Sequence, residues 1–127
     1  MSKDEYLFDT NILIYHTQGF KPAVDLVLKH IQQGSFYISI LTKIKFLGWD
    51  KHTLEGYKLC KELIDYAVVF PIDDYVAEIA IDIKRNCKIK LIDATIAATA
   101  IINDFSLVTR NTNDLKGVSG LKIINPF

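Results

Sequence analysis

The sequence predicts an α/β fold, a three-layer α/β/α domain with a mainly parallel central sheet. Short apolar segments rich in β-branched residues alternate with helical patterns along the chain, which is typical of such domains. The strand segments are apolar throughout rather than alternately polar, and this indicates strands covered by helices on both faces. A chain of 127 residues is long enough for one core and too short for two. We therefore expect a single domain spanning residues 1–127.

The first half of the chain contains two strand patterns and three helix patterns. The segment "EYLFD" predicts a buried strand that ends at Asp9, and a helical stretch follows through "ILIYH". The next helix has apolar residues at the i, i+3, i+4 and i+7 spacing and stops at Gly34. Its apolar residues are Val24, Val27, Leu28 and Ile31. Residues 36–40 predict a second strand, after which Thr42 is the expected N-cap of a third helix.

The second half continues the alternation. "HTLEGYKLCKELIDYA" predicts a helix, "AVVFPI" predicts a strand, and Asp73 is the expected N-cap of the helix "DYVAEIAIDIKRN". "LIDATIAATAIIN" is apolar on nearly every side, which indicates a helix buried by its neighbours. "FSLVT" and "LKIIN" are the closing strands. His16, His30 and His52 show no metal-ligand spacing, and we expect them at the surface or at helix ends.

The charge balance excludes one broad class of function. The chain has 15 basic and 15 acidic residues and a formal net charge of zero, so general electrostatic binding to nucleic acid is not expected. A polyanion would need a local basic patch, for which "KRNCKIK" is the candidate. Cys60 and Cys87 lack metal-ligand spacing, no apolar run reaches the roughly 18 residues of a membrane span, and no secretory signal is visible. These features predict a cytoplasmic protein with reduced thiols and no membrane contact.

Polar side chains collect where the predicted strands end. Asp9 ends the first strand, Asn111 and Asp114 follow the fourth, and Asp93 lies at the start of the buried helix. Ligands of open parallel sheets bind beyond the carboxyl ends of the strands. Carboxylates brought together there repel each other unless a cation neutralises them, and oxygen ligands suit Mg²⁺ or Mn²⁺. The sequence therefore predicts a metal site with Asp9, Asp93 and Asp114 as ligands.

Each of these residues also has an ordinary structural explanation. An Asp that precedes a helix is a common N-cap, which would explain Asp9. An acid in the first turn suits the helix dipole, which would explain Asp93, although we expect that carboxylate to be largely buried. The segment "TRNTND" is typical of a turn. The convergence of several acids at one sheet edge favours the functional interpretation.

Lys45 breaks a local rule. If Thr42 caps the third helix, a Glu three residues later would complete a capping box. A cation in the first helical turn is instead unfavourable by about 0.3–1 kcal/mol. Lys45 stands at that position, so the predicted helix start indicates a missing carboxylate.

Four segments carry a family resemblance: "LFDTNILIY", "YISILTKIKFLG", "LIDATIAATA" and "LVTRNTNDLKGVSGLKIINPF". In this order and spacing they resemble the PIN domain family, specifically its VapC-type toxin ribonucleases, over nearly the whole chain. The resemblance implies a parallel sheet with helices on both faces and metal-dependent endoribonuclease activity. It also implies an RNA substrate, a cognate antitoxin bound in an apolar groove, and a homodimer.

The resemblance assigns roles to individual positions. Asp9 corresponds to the first acid of the family's metal site, with Asn11 as its polar neighbour. Asp93 corresponds to the acid on the buried helix. Asn111 stands where many relatives have a fourth acid, and Asp114 lies one turn of chain further on.

The family's second acid is a Glu in the pattern Ser-x-x-Thr-x-x-Glu. Ser39 and Thr42 are present, but Lys45 occupies the Glu position. A Lys45 ammonium could neutralise one acid directly, with an attraction of about 4 kcal/mol at 4 Å and an effective dielectric near 20, before desolvation. We therefore expect the catalytic site to be inactive or impaired in this chain.

Three other functions stay open from the sequence. The chain could be a PIN-fold binding module that contacts an antitoxin or RNA without cleavage, and Lys45 favours this alternative. A phosphatase-like enzyme with Asp9 as nucleophile would need a second acid two residues later, where this chain has Asn11. A regulatory α/β domain would leave the ordered polar positions unexplained.

Overall fold

The computed structural model of the chain describes residues 4–127. Its central sheet has five strands, all parallel, in the order β3-β2-β1-β4-β5. The strands are β1 Tyr6–Phe8, β2 Tyr37–Ser39, β3 Val68–Phe70, β4 Ser106–Val108 and β5 Lys122–Ile124. The predicted α/β fold with a parallel sheet is confirmed, and β1 lies at the centre of the sheet between β2 and β4.

Helices cover both faces of this sheet. They are α1 Thr10–Thr17, α2 Lys21–Gln33, α3 Ile40–Leu47, α4 Leu54–Asp65, α5 Asp74–Asn86, α6 Leu91–Ile102 and α7 Thr112–Leu115. Alternate residues of a strand face opposite sides: Leu7 and Leu107 pack with α5 and α6, whereas Phe8 and Val108 pack with α1, α2 and α4. The three-layer arrangement is therefore confirmed. The sequence does not predict α7, because its residues "TNDL" are equally typical of a turn.

Two of the predicted helix boundaries are confirmed by their capping geometry. Asp73 Oδ1 accepts a hydrogen bond from Val76 N at 3.0 Å and caps α5. Gly34 ends α2 with a φ of 71°, a left-handed conformation that glycine adopts without steric cost.

The predicted start of α3 is wrong. Ser39, not Thr42, is the N-cap, and its Oγ accepts a hydrogen bond from Leu41 N at 3.1 Å. Two hydroxyl residues three positions apart can both cap a helix, and the first is used here because β2 ends at Ser39. Lys45 consequently lies in the last turn of α3, where the helix dipole favours a cation. Helix capping therefore gives no reason to expect a carboxylate at position 45, and only the family pattern indicates one.

His30 lies in the last turn of α2, one of the helix-end positions expected for the histidines, and its side chain is buried. Its ring packs against Tyr6 and Phe8, with centroid distances of 4.9 and 5.3 Å. Its Nδ1 lies 2.9 Å from the Ser35 hydroxyl. Burial, and to a smaller extent the charge of Lys29, lower the pKa of His30 below its ordinary 6.5, and a hydrogen bond to the Ser35 backbone opposes the shift.

We expect the free energy of unfolding to fall as the pH drops below about 6.5. The unfolded chain binds a proton at His30 in that range while the folded chain resists it, so protonation favours unfolding. Urea denaturation between pH 5 and pH 8 measures this slope. His30→Phe should reduce the slope without abolishing it, because burial also lowers the pKa of His16. Equal slopes in the two proteins would contradict this assignment.

Candidate functional site

Asp9 links the central strand β1 to helix α1. It is the N-cap of α1 and is 7% exposed. Its Oδ1 accepts a hydrogen bond from Thr10 N at 2.8 Å. Its Oδ2 accepts one from Thr109 Oγ1 at 2.8 Å and a longer one from Asn11 Nδ2 at 3.3 Å. A buried carboxylate needs such donors, and these three fix the position of Asp9 at the carboxyl end of the sheet.

Thr109 joins the ends of the neighbouring strands β1 and β4. Its side chain is fully buried. While it donates to Asp9, its Oγ1 accepts hydrogen bonds from Asn11 Nδ2 at 3.2 Å and from Asn111 N at 2.9 Å. Arg110 N in turn donates to Asn11 Oδ1 at 3.2 Å. The β1–α1 and β4–α7 connections are therefore held together by one hydrogen-bond network.

Asp93 lies in the first turn of α6 and is partly buried, less than we expected. Burial is the main cause that raises the pKa of Asp93, followed by the negative charge of Asp9. Lys45 and Lys90 lower this pKa, and Asp114 raises it. These charges lie close enough to act on one carboxylate, so the structure gathers Asp9, Lys45, Asp93 and Asp114 at one edge of the sheet.

The two candidate site residues that follow β4, Asn111 and Asp114, have different surroundings. Asp114 lies in the first turn of α7 and lines a pocket of about 560 Å³ together with Asp93. The other lining residues are Lys84, Cys87, Lys88, Ile89 and Lys90. Asn111 precedes α7 and contributes its backbone N–H to Thr109. The structure thus brings the side chain of Asp114, rather than that of Asn111, to Asp93.

Lys45 is exposed on α3. The ion pairs within 4 Å in residues 4–127 are Lys21–Asp25 and Lys122–Asp104, and Lys45 forms none. The expected direct neutralisation of an acid is therefore not found in this part of the chain. The positive charge of Lys45 instead acts on Asp93 from beyond ion-pair distance and opposes the rise in the pKa of that carboxyl.

A groove of about 840 Å³ lies beside this edge, between α1, α3 and α4. Its apolar walls include Trp49 and Leu59, which are 55% and 60% exposed. The remaining lining residues are Thr10, Ile14, His16, Thr17, Gln18, Lys45, Phe46, His52, Gly56, Cys60 and Leu63. An apolar groove was expected from the family resemblance, but its walls come from three separate helices, and no local sequence pattern marks them.

The residues present do not fit a divalent cation at the predicted place. Residues 4–127 contain no group of three or more His, Cys, Asp or Glu side chains that could hold a metal ion. Both oxygens of Asp9 already accept hydrogen bonds. The position that the family pattern assigns to a further acid holds Lys45. Asp9, Asp93 and Asp114 share one electrostatic environment without forming a complete ligand set.

Arg110 is a feature of this edge that sequence reasoning missed. Its guanidinium donates to the Tyr15 hydroxyl and lies over the Tyr15 and Phe127 rings, 5.3 and 5.5 Å from their centroids. Phe20 completes the aromatic cluster. The residues are too far apart in sequence for any local pattern to reveal the contact.

A sequence model of the PIN domain family matches residues 6–121. The chain belongs to the PIN domain family. A comparison with curated proteins found no significant match.

Solved structures confirm the resemblance to VapC-type members of the PIN family in fold. A chain of a toxin–antitoxin complex from Klebsiella pneumoniae is 28% identical, with a TM-score of 0.79 over 97% of this chain and 98% of that one. A chain of DNA-bound VapBC from Salmonella typhimurium is 16% identical, with a TM-score of 0.85 and coverage of 98% and 100%. A chain of FitAcB from Neisseria gonorrhoeae is 21% identical, with a TM-score of 0.77 and coverage of 95% and 97%. No helix within residues 4–127 has the length and apolar character needed to cross a membrane.

Proposed function

We propose that this PIN domain is the toxin of a toxin–antitoxin pair, built as a metal-dependent endoribonuclease whose catalytic centre is impaired by Lys45. The observation that carries the proposal is the charge cluster at the carboxyl ends of β1 and β4, where Asp9 and Asp114 raise the pKa of Asp93 and Lys45 lowers it. Carboxylates are the ligands that Mg²⁺ and Mn²⁺ prefer in nuclease centres, and here three of them act on one place without forming a complete ligand set. The lysine among them offsets the charge that would attract the cation.

The chain's own residues can bind and orient an RNA strand at this site, but they lack a group that activates water. Asp9 is fixed by three hydrogen bonds, and Asp93 lies in the first turn of the largely buried helix α6. Lys88 and Lys90 are exposed beside Asp93 and can contact phosphate groups of single-stranded RNA. Lys84 has a structural role, because its Nζ donates to Ile89 O at 2.8 Å and holds the loop. We therefore expect RNA contact with slow or absent cleavage.

A non-cleaving binding module is the second candidate. The incomplete ligand set in residues 4–127 and the exposed Lys45 favour it. A paired RNA cleavage assay of the unchanged chain and of Lys45→Glu, with and without Mg²⁺ or Mn²⁺, separates the two functions. Activity in the variant alone supports an impaired nuclease, and inactivity of both supports a binding module. The phosphatase-like alternative loses support, because Asn11 donates to Asp9 instead of supplying a second acid.

We propose that the groove between α1, α3 and α4 receives an antitoxin segment. Its exposed apolar walls support this, since a groove of that kind suits an amphipathic segment. The similarity to chains of toxin–antitoxin complexes supports the class of partner. From the length of the chain, we further propose that residues 1–127 act as one domain. From the family resemblance, we propose that the chain forms a homodimer. The reduced cysteines expected from the sequence support a proposed location in the cytoplasm.

Leu59→Glu should weaken antitoxin binding by at least tenfold. Leu59 lines the groove and is 60% exposed, so a carboxylate there would be desolvated by the partner without disturbing the core. Leu54→Glu is the matched control, because Leu54 lies on the same helix, is 90% exposed, and does not line the groove. Calorimetric titration with the product of the reading frame beside this chain's gene measures the binding affinity of both variants. Equal loss in the two variants would contradict the groove assignment.

A further inference from the structure

Lys45 belongs both to the charge cluster and to the groove. It lines the groove together with Thr10, while its charge acts on Asp93. Thr10 directly follows Asp9 and donates its backbone N–H to that carboxylate. The groove therefore runs up to the charge cluster, and Lys45 stands at the end where they meet.

The charge of the groove is one-sided. Within the described residues that line it, none is Asp or Glu, and Lys45 is the residue with a permanent charge. Lys45 is exposed and forms no ion pair within 4 Å in residues 4–127. Its ammonium group is therefore available to a partner that fills the groove.

Two further polar groups of the groove lack a partner. Thr10 is 4% exposed, and its Oγ1 makes no hydrogen bond within residues 4–127. The same holds for Nδ1 of His16, which also lines the groove. A buried hydroxyl without a partner is unfavourable in the free protein. Both atoms are buried in the free protein, so they do not by themselves mark a contact point for a partner.

We infer that the Lys45 end of the groove recognises an acidic side chain of the antitoxin. The segment that occupies the groove places apolar side chains against Trp49 and Leu59 and one Asp or Glu carboxylate against the Lys45 ammonium. This inference rests on the proposed antitoxin partner. A peptide fits these features better than RNA, because the walls are apolar and only one lysine of the described residues faces the groove.

Recognition of an acidic side chain by Lys45 would affect which antitoxins this chain binds. Truncating one partner of a hydrogen-bonded charge pair weakens binding strongly, and like charges placed opposite each other weaken it further. An antitoxin that offers a basic residue at this point would be rejected by Lys45. The chain should therefore select its own antitoxin against those of PIN domains that carry an acid at this position.

The experiment uses the full chain and the purified product of the neighbouring reading frame. Calorimetry would compare the unchanged chain with Lys45→Arg, Lys45→Gln and Lys45→Glu at low and high salt. We expect Lys45→Arg to bind within about threefold, Lys45→Gln to bind about 10-fold more weakly, and Lys45→Glu about 100-fold more weakly at low salt. Lys43→Glu is the matched control, because Lys43 lies on α3 but does not line the groove, and it should bind within about twofold.

A charge reversal in the partner completes the test. Changing each Asp and Glu of the neighbouring product to Lys in turn should identify one position that restores binding to Lys45→Glu. Unchanged or tighter binding of Lys45→Glu, or rescue by no partner position, overturns the inference while the antitoxin assignment stands. A loss of RNA binding with unchanged protein binding would assign Lys45 to RNA and also overturn it. Failure of the unchanged chain to bind the product overturns both the proposed partner and this inference.

Discussion

Lys45→Glu is expected to bind Mg²⁺ or Mn²⁺ and to cleave single-stranded RNA about 100-fold faster than the unchanged chain, an effect of the size found for key electrostatic groups in active sites. The substitution removes a cation that acts on Asp93 and adds an acid beside Asp9 and Asp93. Several carboxylates at one place are tolerated when a divalent cation binds them. In the variant, Asp9, Asp93 and the new Glu would hold such a cation, which would activate water and offset phosphate charge.

The position of Lys45 in α3 sets the expected stability of this variant. A Glu in the last helical turn faces the negative end of the dipole, which is unfavourable by about 0.3–1 kcal/mol. Without metal, Lys45→Glu should therefore be slightly less stable than the unchanged chain. Added Mn²⁺ should raise the melting temperature of the variant, because a ligand bound only by the folded state stabilises it. Thermal unfolding with and without Mn²⁺ measures this independently of cleavage.

Two controls separate the effect of removing the Lys45 cation from the effect of adding a carboxylate. Lys45→Gln removes the cation without adding an acid and should stay inactive. Asp9→Asn in the Lys45→Glu background should abolish the restored activity. Metal-dependent cleavage by the unchanged chain would show that Lys45 does not impair the site. Activity of Lys45→Gln equal to that of Lys45→Glu would show that the cation, and not a missing acid, is the obstacle.

The strand ends and helix caps could be predicted because they depend on close neighbours in the sequence. The sequence predicts a helix after Asp9 and another after Asp73, and each residue caps the helix that follows it. The same local reasoning failed at α3, because Ser39 and Thr42 are both acceptable caps and the end of β2 decides between them. That single displacement moved Lys45 from the first turn of a helix to its last.

The internal geometry of the site depends on contacts between distant parts of the chain. Thr109 reaches Asp9 across 100 residues, and Arg110 reaches Tyr15 across 95. The sequence pattern places Thr109 at the end of a strand, but it does not predict that the Thr109 hydroxyl donates a hydrogen bond to Asp9. The groove beside Lys45 is likewise formed by three helices, so its composition appears only when they pack together.

Thr109→Val should lower the free energy of unfolding by about 2–3 kcal/mol, since hydrogen bonds to charged groups contribute more than neutral ones. Valine keeps the shape of threonine but cannot donate to Asp9 Oδ2, a bond of 2.8 Å. Asp9 is 7% exposed, so water replaces the lost donor poorly. Asn11 Nδ2 and Asn111 N also lose their acceptor on Thr109. Urea denaturation at pH 7 measures the loss.

Thr109→Ser is the matched control for this substitution. Serine keeps the hydroxyl and loses one buried methyl group, which should lower stability by only about 0.8 kcal/mol. A double-mutant cycle with Asp9→Asn tests whether the charge is the reason: Thr109→Val should cost clearly less when residue 9 is neutral. If Thr109→Val and Thr109→Ser are equally destabilised, or if the cycle shows no coupling, then the hydroxyl is not what holds the Asp9 carboxylate at the end of β1.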